Sequence, residues 1–448
     1  MLLRRITAGA PLRLRVALRI LAAATTVVLT AALAPSCDAA ATHPDAHRRV
    51  VRELGPELAI EWAQLAYDIA YGEDQFQTFR GQRAIAMMHL AMHDALQAVV
   101  PRYEGYAYRG RAPDADPLAA AATAAYQVLV ATYADHREEL EPLRDRWVNQ
   151  ARDDRRRAKG VEVGEAAARA ILERRADDGW DVQGTYEFRT GPGEYQTTPP
   201  WDGFVLQPGF RAAKPFSFDD PARFRPALPP PLASADYARA LDEVRVQGDS
   251  SSTVRSSDQT GYALWWMEFA EGSVGRLARR LLRERDVDLW AANRMLAHMF
   301  MALFDGYVSN WDSKYEHNHW RPYTAIRAAD DDGNPSTVAD ADWVSLRAAP
   351  PFPEYASAHA TGCAAAFEVM AQMFGNQTPF ENTTLTAPPE MPTRRFRSFR
   401  AAAEECADSR VQLGWHFRYA IRAGRQAGRS VAEHVLRTTL QPRSARAR

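Results

Sequence analysis

The 448-residue chain is long enough for a substantial buried core in one large domain or two ordinary ones. Its 55 basic and 56 acidic residues give a formal net charge of −1, which argues against a general nucleic-acid or anionic-membrane binder and confines any basic site to a local cluster. Only Cys37, Cys363 and Cys406 are present, which excludes a disulfide-dense scaffold and any cysteine-built zinc or iron–sulfur framework.

Residues 1–40 read as an export signal: Arg4, Arg5, Arg13, Arg15 and Arg19 precede an apolar run from Ile20 to Leu33, then small residues around Ala39. The mature chain is expected to begin near there and to be periplasmic or secreted, with a lipid anchor at Cys37 as the less favoured alternative. No later stretch reaches the roughly 20 apolar residues of a spanning helix, so no membrane span is expected in the mature chain.

Helical periodicity then dominates, at Glu57–Ala70, Gly81–Val100, Pro117–Ala134, Glu138–Asp153 and Val163–Asp177. Asp178 to Ala233 is rich in glycine, proline and aromatics and reads as one long irregular excursion between helical layers. Helices resume at Ser234–Val246, Gln259–Ala270, Ser273–Glu284, Asp286–Ser309, His359–Phe374, Thr393–Asp408 and His416–Leu436, with loops at Asp330–Pro335 and Gly375–Pro392. No run of strands stands out. The expected class is mainly α, with an N-terminal helical region over 41–233 and a C-terminal one over 234–440.

Three motifs carry chemistry. In the first, Lys314 and Arg321 are seven apart in Lys-x6-Arg-Pro; on a continuous helix they would share a face about 10.5 Å apart along the axis and reach one anion. In the second, the prolines around Phe352 force extended backbone, and Ser357 is placed to cap a helix whose first free N–H groups, with the helix dipole, suit an oxyanion. His359 falls in that first turn; taken alone, a histidine there is by default a packed or surface one. In the third, Arg410 and His416 are about 240° apart on an ideal helix, so they share a ligand only where the chain breaks, and Gly414 is the natural break.

Taken in order, Lys-x6-Arg-Pro, Ser-x-His and Ser-Arg-x5-His resemble the signature of the vanadium haloperoxidase and type 2 phosphatidic acid phosphatase superfamily. Arg83–Ala95, the Gly191-Pro192-Gly193 to Pro199-Pro200 stretch and the helix before Lys314 are similar to bacterial haloperoxidase homologues, so the resemblance covers most of the mature chain. It implies a helical-bundle haloperoxidase/acid-phosphatase-like fold. It further implies that Lys314, Arg321, Arg410, Ser357 and the Ala358 N–H hold the equatorial oxygens of vanadate, or of phosphate, which competes for the same place. Losing one such donor typically costs ~3–4 kcal/mol of transition-state stabilisation. His416 becomes the axial group, the vanadate ligand or a phosphorylated nucleophile, and His359 the acid opposite it. Phe352 and Trp311 resemble aromatics lining the halide side, and are as readily core aromatics.

Two positions depart from the family pattern. Ala358 stands where glycine is usual, and Ala420 where an acid often orients the axial histidine, so that a backbone carbonyl or a residue from elsewhere must take over. The leading expectation is an exported haloperoxidase oxidising halide with hydrogen peroxide. The alternatives are a metal-free acid phosphatase working on a small phosphate monoester and a decayed anion-binding protein. His89 and His93, one turn apart, read as helix packing rather than metal ligands. His317 and His319 are expected beside the site rather than in it. Cys363 and Cys406, each one turn from a motif residue, form a disulfide if their helices meet, with free buried thiols as the alternative.

Overall fold

The computed structural model describes residues 54–443. The expected export segment and Cys37 lie outside the described residues. No helix among the described residues is long and apolar enough to cross a membrane.

Five helices come first: α1 (Glu57–Asp74), α2 (Arg80–Val99), α3 (Pro117–Thr132), α4 (Arg137–Val148) and α5 (Asp154–Arg174). Helix α3 starts where Asp116 accepts a hydrogen bond from Ala119 N and Pro117 occupies the first turn, where its missing N–H costs nothing. Its alanines let α2 and α5 approach closely on either side. Helix α5 begins nine residues before the expected Val163, because Asp153 is an N-cap, accepting from Arg156 N, and not the end of the preceding helix.

After the irregular segment come α6 (Ala235–Gln247), α7 (Ser257–Trp265), α8 (Ala270–Glu284) and the long α9 (Leu289–His317), capped by Asp288. Short α10 (Pro322–Arg327), α11 (Ala358–Phe374), α12 (Phe399–Gln412) and α13 (Arg418–Thr438) complete the helices. A two-stranded antiparallel hairpin, β1 (Phe380–Thr383) and β2 (Thr393–Phe396), pairs Phe380 with Phe396 and Thr383 with Thr393. The hairpin corrects the helical reading of Thr393–Asp408: only from Phe399 is that stretch helical.

Helix α9 is buried along nearly its whole length, against α2 on one side and α11 and α13 on another. Phe300, Leu303 and Phe304 on it join Leu96, Leu129, Met370 and Val431 in one large core, each such side chain contributing about 1.5–3 kcal/mol on burial. The excursion is fastened along the same helix. Asp305 accepts from Phe216 N and from the N–H and hydroxyl of Ser217, Asp312 pairs with Arg225, and the Tyr315 hydroxyl donates to Leu206 O. These anchors hold the irregular chain around the C-terminal end of α9, where Lys314 sits.

Candidate active site

Three chain breaks build the site. Helix α9 ends at His317 because Asn318 turns left-handed (φ 48°), and Arg321 is then the extended residue before α10, with Pro322 at its first position. Lys314 and Arg321 therefore do not share one helix face, as the spacing suggested; a tight turn brings them together instead. Ser357 caps α11, its hydroxyl accepting from Ala360 N at 3.4 Å. Helix α12 ends at Gln412, and Gly414 (φ 77°) reverses the chain so that His416 returns toward Arg410.

The cations lie deep. Lys314, Arg321 and Arg410 are each at most 1% exposed. Lys314 Nζ donates to Pro353 O at 2.9 Å and Glu354 O at 3.0 Å. Arg321 donates from Nε to Phe352 O (2.9 Å) and from Nη1 to Trp415 O (3.0 Å), and Nη1 lies 3.2 Å from His416 Nε2. Arg410 donates to Ser409 Oγ (2.9 Å) and Trp266 O (2.6 Å). The partners are carbonyls, one hydroxyl and one imidazole, so no carboxylate neutralises these charges through a direct bond. Burial accordingly pushes Arg321 down to about 10 and Arg410 to about 9, and holds Lys314 well below the usual lysine range, with Arg321 adding to the effect on Lys314.

Phe352 stacks under two of them, its ring centre 4.8 Å from both Lys314 Nζ and Arg321 Cζ, and its ring meets Trp311 at 4.9 Å. His416 is buried and held well below the ordinary histidine range by burial, then by Arg321, Lys314 and Arg410. His359 is partly exposed, but its Nε2 is closed off from solvent; burial and then Arg410 lower it too. Both shifts favour the neutral rings.

Comparisons with known proteins bear on the chain that carries this geometry. A family model described as the VCPO second helical-bundle domain matches residues 294–444, the segment carrying all three motifs. The vanadium chloroperoxidase of Curvularia inaequalis is 26% identical over an alignment spanning 77% of this chain and 74% of the relative. The crystal structure of a bacterial vanadium-dependent iodoperoxidase superposes with a TM-score of 0.74 at 25% identity, covering 88% of this chain and 98% of that one. By these matches the chain is similar to the vanadium haloperoxidases in sequence and in fold over most of its length. A bacterial vanadium-dependent chloroperoxidase shares the fold, with a TM-score of 0.63 at 18% identity over 80% of this chain and 90% of that one.

Set against the superfamily pattern, every motif residue faces one buried region except Ser357, whose hydroxyl is turned to its helix cap, and Trp311, which reaches the region through Phe352. Arg321 Nη2 and His359 Nε2 are buried there without a protein partner. Unspent donors among buried cations suit an oxyanion such as vanadate, so the residues present fit the cofactor.

No acid stands at Ala420, but a carboxyl from another segment reaches His416: Glu354 Oε1 lies 2.9 Å from His416 Nδ1 and 2.9 Å from Phe417 N. Burial pushes this carboxyl up to about 8, against the opposing pull of Arg321 and Lys314. Sequence reasoning missed Glu354, although it is the only acid in the proline-rich motif. It also missed the Trp266 carbonyl, for which no side-chain signal exists. His89 and His93 bind Asn293 Oδ1 (2.8 Å) and Glu104 O (2.9 Å), while His317 and His319 bind Pro226 O (3.1 Å) and the Tyr419 hydroxyl (2.6 Å). All four are held by protein groups outside the anion region. Cys363 and Cys406 are joined, tying α11 to α12 one turn from His359 and from Arg410.

Proposed function

We propose that this chain is an exported vanadate-dependent haloperoxidase that converts halide, hydrogen peroxide and a proton into hypohalous acid and water. The observation that carries the reading is the convergence of three buried cations and two neutral histidines, with donors left over, in a chain whose relatives are vanadium peroxidases. Vanadate, when bound, supplies a Lewis-acidic centre that polarises peroxide toward attack by halide.

The protein's part is electrostatic and positional. Lys314, Arg321 and Arg410 would neutralise the oxygens of the anion, with the Ala358 N–H beside them; the Ser357 hydroxyl, which accepts from Ala360 N, would have to turn its proton toward the anion to join them. The fixed carbonyl partners of the cations keep them from reorganising as charge moves. His416 would hold the anion through Nε2, the ring nitrogen not facing Glu354. His359 is opposed by the charge of Arg410, and an arriving anion offsets that charge, so the ring can hold the proton that peroxide chemistry consumes and delivers. Phe352 and Trp311 keep one wall apolar, which favours a weakly hydrated halide over water. Export is supported by the basic-then-apolar N-terminus and by the Cys363–Cys406 bond, which suits an oxidising compartment.

The reading is tested by a paired assay on the purified mature protein. Bromide oxidation with peroxide is expected only after orthovanadate loading, and is expected to vanish in His416→Ala. Phosphate release from an aryl phosphate without vanadate, with no halide oxidation, would assign the site to a phosphatase instead.

A further inference from the structure

We propose that Glu354 is the positioning residue of His416, locking the ring with its proton on Nδ1 and its Nε2 lone pair turned to the oxyanion. The inference rests on the preceding functional reading for its ligand, but its geometry stands independently. Arg321 Nη1 is a donor in every protonation state found in proteins, and it lies 3.2 Å from His416 Nε2. Nε2 must therefore be the acceptor, and the ring proton belongs to Nδ1. There it donates to Glu354 Oε1 at 2.9 Å, an oxygen already marked as an acceptor by the N–H of Phe417.

Glu354 does more than touch the ring. Its carbonyl takes one N–H of Lys314 and its own N–H donates to His319 O, so the residue ties Lys314 and His416 to one short segment. Its side chain is fully buried, which leaves it little freedom to release the ring. Helix α13 has no room for an acid in the usual place: Ala420 is fully buried against Tyr355 and Ala356, and its carbonyl accepts from Ser357 N. The orienting carboxylate has moved from the helix after the histidine to the loop before the Ser-x-His turn.

Nitrogen-15 spectra of histidine-labelled protein, with no anion added, read the tautomer directly. A protonated Nδ1 and a bare Nε2 are expected for His416 in the wild type; in Glu354→Ala, where Arg321 still favours that tautomer, the Nδ1–H signal is expected to lose its downfield, hydrogen-bonded shift. A proton on Nε2 in the wild type, or an Nδ1–H signal unmoved in the variant, would overturn the proposal. Because the alanine variant leaves Phe417 N unpaired and is at risk of misfolding, Glu354→Gln provides the second arm: it keeps one oxygen to accept from both N–H groups and replaces the other carboxyl oxygen by an amide NH2. Orthovanadate, which would take the Nε2 lone pair, is expected to bind it about tenfold to a hundredfold more weakly. Inorganic phosphate, held by the cations alone, is expected to bind it no more weakly than the wild type, and Glu354→Asp should recover part of the vanadate affinity. A merely structural glutamate predicts that both anions weaken together, or that neither does. If the wild type binds no vanadate, the functional reading fails, and the tautomer measurement still decides the role of Glu354.

Discussion

Gly424 on α13 faces the backbone of Ser357: a Cβ at that position would stand 2.5 Å from Ser357 O and 3.2 Å from Ala360 Cβ. Gly428, one turn on, is closer still to the Thr361 carbonyl, 2.1 Å from where a Cβ would stand. The two glycines let α13 press against the first turn of α11, which is how the Ser-x-His segment is held beside His416. Gly424→Ala is therefore expected to lower unfolding free energy by about 1–3 kcal/mol, read from the denaturant midpoint, because backbone and not a flexible side chain must yield. Phosphate affinity is expected to fall with it. An unchanged midpoint would show that the helices tolerate a wider spacing.

Arg321 uses three guanidinium nitrogens differently: Nε and Nη1 are spent on carbonyls and His416, and Nη2 remains for the ligand. A lysine ammonium cannot divide itself over those directions. Arg321→Lys is expected to weaken orthovanadate binding by about 3 kcal/mol, roughly a hundredfold in Kd. Titration of the variant with orthovanadate checks this. A lysine variant within about threefold of the wild type would mean that charge alone, not the fork, matters here.

How far the sequence shows this site depends on whether its logic is local. The Ser357 cap follows from residues three apart, and the turn at Gly414 from the conformational freedom of glycine, so both are legible in the chain. The juxtaposition of Lys314 with Arg321 is legible, but its mechanism is not: the left-handed Asn318 replaces the helical turn that the spacing implies. Glu354 escapes a linear reading because its partner is 62 residues away and the usual place for its carboxylate, Ala420, looks merely empty. The hairpin escapes for a similar reason. Four residues of alternation in Phe380–Thr383 are too short to distinguish from a loop, and only pairing with Phe396 across an intervening turn makes them strands.

The Cys363–Cys406 bond closes a 43-residue separation that includes the hairpin, so in the chain-entropy view it contributes about 4 kcal/mol. It also holds the His359 turn to the helix of Arg410. Thiol labelling of the denatured, unreduced protein is expected to leave both cysteines unmodified. Reduction is expected to lower thermal stability and to loosen phosphate binding in parallel. Two labelled thiols at these positions would remove the bond from the account.

His89 is fully buried on α2, donating from Nδ1 to Asn293 Oδ1, and burial lowers it to about 4. An unfolded chain protonates this ring near pH 6.5 while the folded protein resists until about 4, so between those values the unfolded state carries the extra proton. The stability that the neutral ring allows is complete above pH 6.5 and is lost as pH falls through the window. Over two and a half units the loss approaches about 3 kcal/mol. His89→Gln removes this one titration and leaves the other ionisable groups in place. Denaturant unfolding of both proteins at pH 7 and pH 4.5 is expected to show the wild-type advantage shrinking, or reversing, at the lower pH. If the gap stays constant, the His89 ring either titrates normally or is already protonated in the folded protein.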